Sequence, residues 1–124
     1  MNRLSFWFFI SALVYLLLGV GLGIYMAGSK DFLFAPVHGH LNLVGWVSFA
    51  LYGLFYQAVP IASRQRMATV HFALASLGLW TMIPGIALFE LGITEALAAI
   101  GALLTLCAIL VFAAVVMRNG PKSA

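Results

Sequence analysis

Residues 4–27, LSFWFFISALVYLLLGVGLGIYMA, decide the fold. The run is uncharged and far longer than the ~7–15 apolar residues at the centre of a secretory signal. A bilayer core of roughly 30 Å takes about 20 apolar residues of helix, so the segment spans a membrane and stays. Working outward, Gly28, Ser29, Lys30 and Asp31 break the run. A second apolar stretch follows at 36–59, opened by Pro36 in a first-turn position and closed by Pro60. Ser63, Arg64, Gln65 and Arg66 make a polar turn before a third stretch at 67–89, which Pro84 and Gly85 are expected to kink. Glu90, Gly92 and Glu95 precede the fourth, at 94–117, and Arg118 to Lys122 form a polar tail. The reading is an all-α membrane protein, a single domain over 1–124 with four transmembrane helices in an up-down bundle or arc.

Composition agrees. Of 124 residues, 65% are hydrophobic and 7% charged, too few polar groups to cover a soluble domain. The net charge of +3 does not point to nucleic acid, because the six cations sit singly or in pairs between apolar runs. Arg3, Arg64, Arg66, Arg118 and Lys122 fall on one side of the four-span topology. Lys30 and all three acids, Asp31, Glu90 and Glu95, fall on the other. Cations at span ends are held in the cytoplasm, so both termini are expected inside. The one cysteine, Cys107, lies in the fourth run with no second thiol for a disulfide or a metal site.

Gly19 and Gly23 form a GxxxG pair with Gly21 between them, and Ala98, Gly101 and Ala102 stud the fourth run, which suggests close helix contacts. Phe6, Trp7, Phe8 and Phe9, with Tyr52, Phe55 and Tyr56, read as interfacial belts.

The chemistry concentrates in His38-Gly39-His40-Leu41-Asn42-Leu43-Val44-Gly45-Trp46, near the outer end of the second span. Ionisable groups inside a membrane are costly and call for a function. Two residues apart on a helix is about 200° of rotation, so His38 and His40 point to nearly opposite sides and cannot easily chelate one ion. Each can offer an imidazole to a planar macrocycle flanking the helix. The positive end of the helix dipole keeps the rings neutral, the form that ligates a metal. Gly39 and Gly45 leave room for a porphyrin beside them. Hydrogen bonding to headgroups, water or a neighbouring helix is the other reading of the pair. His71 starts the third span from the opposite side, roughly 15–20 Å away along the membrane normal, so it cannot share an iron with His40 and reads as a packing or interfacial residue. Two-histidine ligation therefore needs a second copy of the chain: a ring in which His38 faces His40 of the next subunit, or a two-fold dimer pairing His40 with itself.

This stretch, continued through Val47, Gly53, Tyr56 and Pro60, resembles the tenth helix of the catalytic subunit of the heme-copper oxidases, especially the C-type oxidases and nitric oxide reductases. Residues 70–78 resemble the helix that follows, whose histidine is not a heme ligand. The resemblance covers the second and third spans, about half the chain. It implies that His38 is the axial ligand of a high-spin heme and His40 of a low-spin one, in the inner membrane of a prokaryote. That subunit has about a dozen helices in three arcs of four, so a trimer of this chain has the same number. The family's copper-binding histidines and the tyrosine crosslinked to one of them have no counterpart here, so oxygen reduction is not expected.

Three readings follow. The first is a heme b protein using His40 and His38 at subunit interfaces, with Gly39, Asn42 and Trp46 lining the site, for electron transfer to a redox partner or for binding O2 or NO. The second is a cofactor-free accessory or assembly subunit of a respiratory complex. The third is copper held by His38 and His40 with Met26. Tyr52 and Tyr56 can line a heme edge or belong to the core. Transport and hydrolysis lack support: no acidic residue lies in mid-span, and no Ser-His-Asp or Cys-His set shares a depth.

Overall fold

The first apolar run folds into α1, Arg3–Ser29, in a computed structural model that describes residues 1–122. Asn2 starts this helix: its side-chain oxygen accepts from Ser5 N (2.9 Å), satisfying a first-turn donor. The other end of the same amide donates to Tyr56 O (2.7 Å), tying the start of α1 to the far end of the second run. Lys30 ends α1 in the left-handed region at φ 59, its N–H bonded to Met26 O.

The second run is not the single α-helix the sequence suggests. It comprises α2, Ala35–His40, then a π-helical segment, Leu41–Val47, then α3, Ser48–Ala58. The widened segment has two visible supports. Gly45 has no side chain where the Tyr15 ring lies, since a Cβ there would sit 2.9 Å from Tyr15 Cβ. The Ser48 hydroxyl donates to Leu43 O (2.8 Å), pairing a carbonyl in the segment. Pro36 does occupy the first turn of α2, and Pro60 follows the break at Val59 and opens the short α4, Pro60–Ser63.

The third run forms α5, Arg66–Glu90, and the fourth α6, Ala96–Arg118. α5 continues as one helix through Pro84. Gly92, at φ 73, turns the chain between them. Every described element is helical, and α1, α5 and α6 are each long and apolar enough to cross a membrane. Large apolar side chains such as Leu17, Leu77, Leu103 and Leu110 are exposed on their outer faces, as expected where lipid is the solvent.

The helices meet in two closely packed pairs. α5 and α6 run antiparallel, with Gly85 against the backbone of Ala98, Gly101 against that of Met82, and Gly78 against Thr105. α1 packs on the second run through Gly19 against Asn42, Gly23 against His38 and Gly53 against the Phe9 ring. Both sets of small residues serve close approach. A layer of aromatic rings joins the pairs: Phe8 contacts Phe49, Tyr52, Tyr56 and Phe72, and Phe112 contacts Tyr52 and Phe55. Part of the expected belt is thus core. Phe8 and Tyr56 are wholly buried, while Phe6 and Trp7 stay exposed.

Candidate functional site

His38 and His40 lie in the regular turn of α2, before the π segment, and their rings diverge as two residues of α-helix require. Their surroundings differ sharply. His38 is half-buried and turned onto α1. Its Nδ1 bonds to Gly19 O at 2.7 Å, and a carbonyl only accepts, so Nδ1 carries the proton. A Cβ on Gly23 would lie 2.9 Å from His38 Cε1, so the glycine makes the space the ring fills. The Asn42 amide nitrogen donates to His38 O (2.9 Å) and stands 3.4 Å from His38 Nε2, next to the remaining lone pair. His38 and Asn42 together form a polar seam between α1 and the second run.

His40 is exposed. Its Nδ1 donates to Pro36 O, one turn back on its own helix, at 2.7 Å. That bond fixes both the tautomer and the ring orientation, leaving a lone pair on Nε2. The ring borders a groove of about 310 Å³ lined by Pro36, Gly39, His40, Leu43 and Val44. A Cβ on Gly39 would meet nothing within 4 Å. The groove is apolar apart from the imidazole and is at the lower end of the roughly 300–1,000 Å³ of small-molecule sites. It suits one face of a flat macrocycle, with the second face covered by something else. The residues present fit heme b through His40: an oriented imidazole, a free lone pair and an open apolar face beside it.

The other expected residues lie apart from this groove. Asn42 belongs to the α1 seam. Trp46 is half-buried and packs against the core, and it does not line the groove. Gly45, expected to clear space beside the imidazoles, clears it for Tyr15 instead. The copper reading asks both histidines to serve one ion, whereas one ring faces α1 and the other faces outward. Met26 is buried, and among the described residues no three His, Cys, Asp or Glu side chains gather.

His71 is wholly buried and belongs to the aromatic layer. It stacks on Phe112 (ring centroids 4.9 Å apart), meets Tyr52 edge to face (4.4 Å), and shares a 3.0 Å hydrogen bond with the Tyr56 hydroxyl through Nδ1. It lies against Phe8, whereas His38 lies against Gly19 and Gly23. Phe8 and Gly19 are about 16 Å apart along α1 at 1.5 Å per residue, which separates His71 from the α2 histidines in depth. The sequence places His71 inside a span, but nothing local in it names Tyr56 as the partner. Tyr56→Phe leaves a buried imidazole nitrogen unpaired. It is expected to cost on the order of 1 kcal/mol, read as a lower thermal midpoint in detergent, while any visible spectrum stays unchanged.

No family model, curated protein or solved structure matches the chain.

Proposed function

We propose that the chain is a heme b-binding membrane protein that carries electrons, with His40 as axial ligand and a second copy of the chain closing the site. In this reading all four apolar runs cross the inner membrane of a prokaryote, both termini are cytoplasmic, and the bundle resembles one four-helix module of a heme-copper oxidase. The observation that carries it is His40 itself. An imidazole on the outward face of an apolar rod is oriented by Pro36 O through Nδ1, and its Nε2 has no protein partner among the described residues. A polar ring facing lipid is costly, and coordination inside an interface removes that cost.

The same surroundings favour one arrangement of copies. His38 is held by Gly19 O and Asn42, so a ring in which His38 faces the next subunit would have to break the α1 seam. A two-fold dimer pairing His40 with His40 of a second copy breaks nothing, and the apolar groove beside each imidazole supplies half of the pocket. With His40 of each copy as the holding residue, heme b would supply reversible one-electron transfer, which ligation by two imidazoles would favour over gas binding. Pro36 O holds the His40 ring, Gly39 and Leu43 would border the group in the groove, and the apolar walls would exclude water.

An absorbance spectrum of the detergent-purified protein, expressed with ample heme, tests the reading. Soret and α bands that sharpen on dithionite reduction are expected. A colourless protein would defeat the reading and leave a cofactor-free accessory subunit.

A further inference from the structure

One end of the molecule carries Arg3, Arg64, Arg66, Arg118 and Lys122, while all three carboxylates belong to the segments at the opposite end. Hydrogen bonds join these cationic segments in two pairs. Asn2 N donates to Gln57 Oε1 (3.0 Å), joining the start of α1 to the end of α3, and Gln65 Nε2 donates to Asn119 Oδ1 (2.9 Å), joining the start of α5 to the end of α6. Among the described residues no acidic side chain lies on this end beside the guanidinium groups, which leaves them open to an anion from outside the chain.

One of these cations borders a shaped groove. Arg3 and Leu4 on α1, Trp7 one turn further, Ser63 at the end of α4, and Thr69 and Phe72 on α5 enclose about 310 Å³. The groove is graded from polar to apolar. Arg3, Ser63 and Thr69 bring a guanidinium and two hydroxyls, and Leu4, Trp7 and Phe72 bring an apolar wall. Ser63 already donates to Pro60 O (2.7 Å), so its oxygen is left to accept, while Thr69 is an exposed residue. Thr69 belongs to the first turn of the 25-residue α5, which Gln65 leaves without a side-chain cap, so it sits at the positive end of that helix. Arg118 is directed elsewhere, with Nη1 3.0 Å from Met67 Sδ.

We infer that this groove binds an anionic phospholipid, its phosphate against Arg3 and Thr69 and its first acyl carbons along Trp7, Leu4 and Phe72. The inference rests on the membrane reading and not on heme, so it survives a colourless protein. The alternating requirement for anion and hydrocarbon selects a lipid over free phosphate, and the unbalanced positive charge selects an anionic lipid over a zwitterionic one.

Native mass spectrometry of the full chain in neutral detergent, with added dioleoylphosphatidylglycerol, tests it. The wild type is expected to retain one phosphatidylglycerol in preference to dioleoylphosphatidylcholine. Arg3→Gln should weaken retention about fivefold, the factor expected for one cation at a membrane surface. Arg118→Gln, which removes an equal charge from the same end, should leave it nearly unchanged. Equal losses in the two variants would mean diffuse attraction and overturn the site, as would equal retention of phosphatidylcholine or displacement of the lipid by inorganic phosphate. Arg3 is exposed, so the variant keeps the fold, and an unchanged thermal midpoint in lipid-free detergent verifies this.

Discussion

His40→Ala is expected to remove the heme absorbance of the purified protein entirely while leaving its folded yield and thermal midpoint nearly unchanged. The imidazole is exposed, and its one hydrogen bond, to Pro36 O, lies within its own helix. Its loss takes nothing from the packing between helices. What it does take is the only free, oriented lone pair beside the groove. His38→Ala should behave in the opposite way. That ring fills the space over Gly23 and bonds to Gly19 O, so its removal opens a gap between α1 and the second run and loses an interhelical bond worth roughly 1 kcal/mol in a membrane. The midpoint should fall while the Soret band persists. The resemblance to the oxidase helix assigns a ligand role to both residues, so the two variants, compared by spectrum and by melting, separate that assignment from the one the surroundings favour. A chromophore lost with His38 and kept without His40 would reverse the roles.

The second large effect lies in the α5–α6 pair. Gly101→Leu should abolish a monodisperse preparation or lower the midpoint severely. The pairs Gly85–Ala98, Met82–Gly101 and Gly78–Thr105 step in opposite directions along the two helices, so the glycines set how closely the backbones approach. A side chain on Gly101 meets the Met82 backbone, not the end of a flexible side chain, and the helices can only separate. Overpacking of this kind costs about 1–3 kcal/mol where side chains can yield, and more where backbone must move. Gly21→Leu is the matched control. A Cβ there meets nothing within 4 Å and points outward, so elution volume and midpoint should be unchanged. An unaltered Gly101→Leu protein would mean that the two helices do not pack as described.

Hydrophobic length alone located the helices. The run at 4–27 lies inside α1, and the third and fourth stretches match α5 and α6 to within a residue or two at each end. Length is a local property, and a helix in lipid must satisfy its own backbone, so the segments read correctly without knowledge of their neighbours. The π segment did not show in the sequence because its supports are the Tyr15 ring against Gly45 and the Ser48 hydroxyl on Leu43 O, and the first of these comes from another helix. Proline, the usual local warning, is absent from 41–47.

The candidate site was partly legible for the same reason. Two histidines two residues apart must diverge on any helix. Which of them meets α1 depends on how the second run docks, and that is set by Gly19 and Gly23. The GxxxG pattern announced a close contact without naming its partners, Asn42 and His38. The aromatic residues show the limit of reading type without place. Phe8 and Tyr56 are wholly buried in the layer between helix pairs, whereas Trp7, beside Phe8 in sequence, is 47% exposed. One step along a helix turns a side chain by about 100°, enough to move it from core to lipid.

In the proposed dimer the His40 Nε2 of each of two copies would donate its own lone pair to one shared iron, and the mass of the coloured species tests that most directly. Native mass spectrometry of the heme-loaded protein, collected with its low-spin absorbance intact, should give two chains and one heme, and His40→Ala should give the apoprotein. A single chain that retains a six-coordinate, low-spin heme, or a dimer that keeps its heme without His40, would contradict it.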